Sequence, residues 1–130
     1  MLDERANLIA TDLNPAAAEC TLKTLRSHNV AERVDVLIMD LCEALSPRLQ
    51  GTVDLIVCNP PYVPTPDEEV GRGGIAAAWA GGARGRQITD RIISLAPQML
   101  SPHGELVLVA LADNDPQGGL SFLGFVWVIG

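Results

Sequence analysis

The sequence predicts an α/β fold in which a parallel sheet is flanked by helices. Short apolar runs rich in β-branched residues alternate with stretches of helical periodicity, and this alternation implies crossover connections between parallel strands. The first three runs stop at a polar residue, as strands do where a binding site begins at the carboxyl edge of a sheet. The predicted strands are residues 7–11, Val34–Met39, Val53–Cys58 and Glu105–Leu111.

Two helices are predicted between these strands. Asn14 is a suitable N-cap and Pro15 a suitable first residue for a helix that runs to about His28. Gln87–Leu100 has the clearest helical periodicity, and a break at residues 101–104 separates it from the last strand. Its buried stripe is expected to contain Ile88, Ile92, Leu95, Ala96, Met99 and Leu100. Residues 42–49 are expected to form a short helix or turn. Residues 63–84 form a long Pro/Gly-rich connection of the kind that is functional or disordered.

The composition indicates one globular domain. The chain has 130 residues, of which 48% are hydrophobic and 19% charged, so a packed core is expected rather than disorder. The formal charge of −7 disfavours nucleic-acid binding, since such binding neutralises phosphates with Lys and Arg. Cys20, Cys42 and Cys58 show no metal-binding spacing, so we expect reduced, buried thiols and no metal site. We also expect no signal peptide and no membrane association, which favours the cytoplasm, with the nucleus as a second compartment.

The residues Asn59-Pro60-Pro61-Tyr62, here called the NPPY segment, directly follow the third predicted strand. Two prolines fix φ and remove backbone donors, so the turn is stiff and its carbonyl oxygens remain able to accept hydrogen bonds. Asn supplies an amide that donates and accepts, and Tyr supplies a flat face. These groups suit a planar substrate group that carries an NH2. An ordinary strand-terminating loop is the alternative interpretation, because Asn-Pro is a common turn dipeptide.

The NPPY segment resembles the signature of the amino-methyltransferases, and further residues narrow the resemblance to the HemK-type glutamine methyltransferases. Over about residues 8–115 the sequence is most similar to the eukaryotic and archaeal branch that modifies the GGQ loop of class I translation release factors. The residues that carry the resemblance are Thr11–Pro15, Asp40-Leu41, residues 59–66, Glu69–Gly71, Ala76–Gly82 and Gly85-Arg86. The resemblance implies a Rossmann-like (class I) methyltransferase fold, with S-adenosylmethionine as the methyl donor.

The resemblance also implies which strand-end residues hold the cofactor. Asp12 would bind the ribose diol, since a carboxylate can accept hydrogen bonds from two adjacent hydroxyls. Its alternative role is to help cap the helix that begins at Pro15. Asp40 and Leu41 would hold the adenine, and a solvated strand-end acid is the alternative interpretation of Asp40.

The NPPY segment would hold the methyl acceptor, with Asn59, Pro60 and Tyr62 as the catalytic residues. The Asn59 side-chain oxygen and the Pro60 carbonyl would each accept one N–H of the target NH2, and Asn59 would also border the cofactor. Pro61 would contribute to the same substrate-binding turn, and Tyr62 would stack on the planar amide. Trp79 would line the substrate pocket or anchor the long loop on the core, and both roles stay open.

The sequence departs from the family pattern at both ends. The family's glycine-rich loop after the first strand is absent, and Met1 stands just before what would be the second strand. In the family the first strand lies at the centre of the sheet, so without it two strands would have unpaired edges. After Asp115-Pro116 the chain no longer follows the family. We therefore expect a partial methyltransferase domain in residues 1–116 and an atypical apolar tail in residues 117–130, which could pair with a free sheet edge.

These observations predict an S-adenosylmethionine-dependent N-methyltransferase that acts on the GGQ glutamine of a class I release factor. Two other interpretations stay open. Adenine-N6 methylation of nucleic acid fits the same motif, since adenine also presents a planar NH2, and family members are further associated with lysine. A catalytically inactive, truncated product would retain only partner binding. The resemblance implies that the partner is a small zinc-binding activator subunit, which forms a heterodimer by covering the sheet edge at Val34–Met39.

Overall fold

The computed structural model describes residues 6–115 and the backbone of residues 126–129. The chain divides into two compact units, residues 1–44 and 45–130. The strands are β1 (Leu8–Asp12), β2 (Val34–Ile38), β3 (Val53–Cys58), β4 (Leu100–Leu111) and β5 (Val126–Ile129), and the α-helices are α1 (Pro15–Ser27) and α2 (Gln87–Met99). All strand pairs are parallel, which confirms the predicted α/β class.

The first unit is a strand-helix-strand motif in which β1 and β2 pair along their whole length. As predicted, Asn14 caps α1, because its Oδ1 accepts a hydrogen bond from the Ala16 N–H at 3.0 Å. Pro15 occupies the first turn, where a helix loses no hydrogen bond through the missing N–H. Ala18 is buried on one face of the helix. The crossover brings the carboxyl ends of β1 and β2 side by side.

The second unit contains a three-stranded sheet in the order β3-β4-β5. β4 begins at Leu100, directly after α2, so the prediction of a break followed by a strand from Glu105 is wrong in its boundary. The predicted break is a register shift within β4. Val53 pairs with Leu100, but Leu55 pairs with Glu105, so residues 101–104 bulge out of the ladder.

The strands form two separate ladders. The resemblance implies a further strand between β1 and β3, and no ladder joins those two strands in the described part of the chain. Val126–Ile129 pair with β4, so the pairing considered for the apolar tail occurs at these residues. Residues 117–125 and Gly130 of the predicted tail lie outside the described residues.

Helix α2 packs beside β4 through the predicted apolar stripe. Its buried residues Ile92, Ala96 and Met99 share the core with Leu106 and Leu108 of β4. The remaining stripe positions are half-buried: Ile88, Leu95 and Leu100. Among the described helices, none is long and apolar enough to cross a membrane.

The long connection after the NPPY segment is ordered by short helices and backbone pairing. Two 3-10 helices, Asp67–Glu69 and Ile75–Ala78, lie within it, and an isolated bridge joins Val63 to Ala80. Proline and glycine content predicts a long loop here, but it does not reveal that the loop pairs with itself.

The cysteines are less buried than the sequence predicts. Cys20 is exposed, while Cys42 and Cys58 are half-buried. Cys20 lies on the outer surface of α1, a position that the composition of the helix does not distinguish from its buried face. Burial raises the pKa of the Cys42 thiol, and the neighbouring Glu43 carboxylate raises that pKa further.

Candidate functional site

The NPPY segment leaves β3 at Cys58 and turns at the carboxyl end of the strand. Pro60 is buried and Tyr62 is half-buried, while Asn59 is exposed. Within the described part of the chain, the Asn59 side chain makes no hydrogen bond and the Pro60 carbonyl accepts none from the backbone. Two acceptor groups on a stiff turn are therefore available to a ligand, as predicted for a planar NH2.

The far end of the NPPY segment is fixed by a side chain from the turn that follows β4. Asn114 lies in the 3-10 turn after β4 and is 3% exposed. Its Nδ2 donates one hydrogen bond to the Tyr62 carbonyl and one to the Arg84 carbonyl, each at 3.1 Å. Its Oδ1 accepts a hydrogen bond from the Leu111 N–H at 2.9 Å. One buried amide thus joins the strand end, the NPPY segment and the long loop.

Trp79 lies beside the NPPY segment because the backbone of the long loop pairs with the residue that follows it. The Val63 N–H donates to the Trp79 carbonyl, and the Gly81 N–H donates to the Val63 carbonyl, both at 2.9 Å. The Trp79 side chain is 42% exposed, so the loop is anchored here through its main chain. The two roles expected for the indole, lining the substrate pocket or anchoring the loop on the core, both stay predictions.

A second set of contacts holds the long loop against the start of α2. The Asp67 Oδ1 accepts hydrogen bonds from the Ala83 N–H at 2.8 Å and from the Gln87 amide at 2.6 Å. The Thr65 N–H donates to the Gly82 carbonyl at 2.9 Å. These hydrogen bonds therefore order the long loop beside the NPPY segment.

Asp12 occupies the end of β1, where it takes part in the cap of α1, and its cofactor role stays a prediction. Its Oδ1 accepts a hydrogen bond from the Asn14 N–H at 2.7 Å, which orients the residue that caps α1. The carboxylate is exposed, and its Oδ2 has no hydrogen bond to any described residue. Because a carboxylate has about four lone-pair directions, Asp12 retains acceptor capacity for a diol.

Asp40 and Leu41 follow β2 in the same unit. The Met39 N–H donates to the Asp12 carbonyl at 3.0 Å, so the chain that leads to Asp40 runs alongside the end of β1. Asp40 is exposed. Leu41 has φ +49°, a left-handed conformation that a branched side chain adopts only under constraint. Such outliers concentrate at binding sites, which supports a cofactor role for this turn.

The predicted residues fall into two groups. Asp12, Asp40 and Leu41 lie together in the first unit, and the NPPY segment lies with Trp79 in the second unit. Sequence reasoning did not identify Asn114 as part of the second group. The available signal was its position at the carboxyl end of a predicted strand, where polar side chains face a site.

Parallel strands with polar residues at their carboxyl ends define an α/β protein of the class whose ligand sites lie at strand ends. The particular family follows from sequence comparison. The chain belongs to the methyltransferase small domain family, whose model matches residues 2–120. The family expected from the NPPY segment is thereby confirmed.

Individual relatives carry methyltransferase names, and one of them is named a release factor glutamine methyltransferase. The chain is 53% identical over 117 residues to Methyltransferase HEMK2 of Mus musculus, which covers 90% of this chain and 54% of the mouse protein. It is 42% identical over 69 residues to the eRF1 methyltransferase catalytic subunit mtq2 of Schizosaccharomyces pombe, which covers 52% of this chain and 30% of that protein. It is 36% identical over 105 residues to the release factor glutamine methyltransferase of Mycolicibacterium smegmatis. This match covers 78% of this chain and 36% of that protein. The chain thus spans about half the length of the mouse relative.

Proposed function

We propose that the protein transfers a methyl group from S-adenosylmethionine to the side-chain amide nitrogen of the GGQ glutamine in a class I translation release factor. The observation that carries this proposal is the state of Asn59, which is exposed at the end of β3 with no hydrogen bond to the described residues. The names of the relatives supply the substrate class, since two of them are release factor methyltransferases.

The cofactor would be held by the groups at the ends of β1 and β2. The Asp12 carboxylate fits a ribose diol because its Oδ2 makes no hydrogen bond to the described residues. The constrained turn at Leu41 fits an apolar contact with one face of an adenine, beside Asp40. When bound, S-adenosylmethionine supplies a methyl group on a positively charged sulfur that leaves as a neutral thioether.

The chain's own contribution is to orient the acceptor nitrogen. An amide nitrogen is a poor nucleophile because its lone pair is delocalised into the carbonyl group. The Asn59 Oδ1 and the Pro60 carbonyl would each accept one N–H of the acceptor, which directs the nitrogen lone pair at the methyl carbon. The same two oxygens stabilise the positive charge that develops on nitrogen as the N–C bond forms. Tyr62 would stack on the amide plane, and the displaced proton would pass to water after transfer.

The test is methyl transfer from radiolabelled S-adenosylmethionine to a GGQ peptide, with a GGA peptide and an adenine-containing DNA duplex as the other acceptors. We expect label in the GGQ peptide alone. Asn59→Ala should lower kcat by about 100-fold or more, because it removes one of the two oriented acceptors. Asn7→Ala is the matched control, since Asn7 is an exposed asparagine outside the site, and it should leave kcat unchanged.

The other outcomes separate the alternatives. Label in the duplex but not in the peptide would replace glutamine with adenine as the acceptor. Calorimetry with S-adenosylmethionine decides whether this chain binds the donor at all. No binding together with no transfer would support a product that retains only partner binding, and would contradict the proposed activity for this chain.

We also propose a heterodimer with a small zinc-binding activator subunit. The outer edge of β2 supports this, because β2 pairs only with β1 among the described strands and its last residue, Ile38, is 60% exposed. An unpaired edge with exposed apolar side chains is suited to a protein partner. Co-expression with such a subunit should yield a complex, and Ile38→Lys should weaken it. A cytoplasmic location is proposed from the substrate, with the nucleus as a second compartment.

A further inference from the structure

The Asn114 side chain, with its hydrogen bonds to Tyr62, Arg84 and Leu111, is here called the junction. The proposed activity alone assigns it no role. We propose that Asn114 is a positioning residue, which fixes the NPPY segment so that Asn59 and the Pro60 carbonyl are oriented before the acceptor binds. This inference rests on the proposed function for its kinetic consequence, whereas its structural part stands on contacts within residues 45–115.

The chemistry of the junction requires an amide at this position. Both N–H groups of the Asn114 Nδ2 are used, each on a backbone carbonyl, and the Oδ1 is used on a backbone N–H. A carboxylate of the same shape has no donor, so it would set its oxygens against the carbonyl oxygens of Tyr62 and Arg84. Because the side chain is 3% exposed, water would not readily replace the lost hydrogen bonds.

The two prolines transmit this constraint along the NPPY segment. Pro60 and Pro61 have φ fixed by their rings, so few torsions between Asn59 and Tyr62 remain free to vary. Holding the Tyr62 carbonyl therefore limits where the Pro60 carbonyl and the Asn59 side chain can point. The second hydrogen bond, to Arg84, ties the loop that carries Trp79 to the same side chain.

Arg86 holds Asn114 in place from the other side. Its Nη1 donates to the carbonyls of Asn114 at 3.2 Å and Asp115 at 2.6 Å. Its Nη2 forms an ion pair with Asp90 at 2.7 Å, and the arginine side chain is 14% exposed. The turn after β4 is thus bonded to the start of α2, which holds the backbone of Asn114 in place.

The expected kinetic effect is on turnover rather than on cofactor affinity. Asn114 bonds to the acceptor side of the site through the Tyr62 carbonyl, and the three hydrogen bonds of its side chain all lie within the second unit. A misplacement of about 1 Å in a reacting group lowers rates by about 100-fold. Loss of Asn114 should therefore lower kcat while the S-adenosylmethionine dissociation constant stays within about twofold.

Tyr62 is the single tyrosine of the chain, so 3-fluorotyrosine labelling gives one 19F resonance that reports on the NPPY segment. The variants are Asn114→Asp, the control Asp113→Asn, and the double variant Asp113→Asn/Asn114→Asp, which restores the net charge. We expect Asn114→Asp and the double variant to shift and broaden the resonance and to lower kcat on the GGQ peptide about 100-fold. Asp113→Asn, at an exposed neighbour, should match the wild type in both measurements.

The proposal is overturned if Asn114→Asp keeps the wild-type resonance and kcat, or if the double variant recovers both. Asn114→Ser, whose hydroxyl donates one hydrogen bond in place of two, provides a milder variant should Asn114→Asp fail to fold. It should show a smaller change in resonance and kcat in the same direction, and wild-type values for it would also contradict the proposal. If the wild type methylates no acceptor, the proposed function fails, while the 19F comparison still tests the positioning role.

Discussion

At the scale of single residues, Thr89 stands out because it is a buried polar side chain without a partner. It lies in the first turn of α2, is 3% exposed, and its Oγ1 makes no hydrogen bond within the described part of the chain. Thr89→Val keeps the side-chain shape and nearly the same helix propensity while it removes the unsatisfied hydroxyl. We expect the free energy of unfolding to rise by about 1 kcal/mol in urea denaturation.

The matched control for Thr89→Val is Thr24→Val in α1. The Thr24 hydroxyl donates to the Cys20 carbonyl at 3.0 Å at an exposed position, so the same substitution there removes a hydroxyl that has a partner. Its effect should lie within about 0.5 kcal/mol of zero, as surface changes usually do. Equal effects at both positions would show that the Thr89 hydroxyl is satisfied in solution.

At the scale of elements, the loop that follows the NPPY segment depends on a glycine at its closest approach. Gly85 has φ +63°, and a Cβ there would collide with the Tyr62 carbonyl oxygen and the Asn114 amide. Gly85→Ala should therefore lower the free energy of unfolding by about 3 kcal/mol, from left-handed strain together with overpacking. Gly73→Ala is the control, because Gly73 has φ +75° but open space around it. It should cost only the strain, about 1 kcal/mol, and an equal cost at both positions would contradict the close packing.

The elements also show which features the sequence could predict. Local signals placed the Asn14 cap and the end of β3 correctly, because capping and proline chemistry act within a few residues. The start of β4 at Leu100 was missed, since residues 101–104 have turn chemistry and only the ladder to β3 shows that they form a bulge. Asn114 was missed for a related reason. Its bond to Tyr62 spans 52 residues, and no local pattern distinguishes a strand-end asparagine that contacts a distant loop from one that faces water.

At the scale of the whole molecule, the two residue groups of the site were predicted as one set, yet they belong to two units. The rule that ligands bind at the carboxyl ends of strands applies to a continuous parallel sheet. The described strands form two ladders. The rule therefore predicts the cofactor-side group and the acceptor-side group separately, but it does not predict how the two groups are arranged in one site. The acceptor group is held by more contacts than the cofactor group, since Asn114, Asp67 and the paired loop all support the NPPY segment.

The charge of the whole chain predicts how it discriminates between protein and nucleic-acid acceptors. The formal charge is −7, and the sequence's one close basic pair is Arg84 and Arg86. Arg86 bonds to Asp90 and to two backbone carbonyls. Arg84 is exposed, and its guanidinium has no ion pair with a described residue. In fluorescence anisotropy with a labelled DNA duplex, we expect a dissociation constant weaker than about 10⁻⁴ M at 50 mM salt. Affinity that is tighter and falls steeply as salt rises would reveal phosphate neutralisation, and would favour adenine over glutamine as the methyl acceptor.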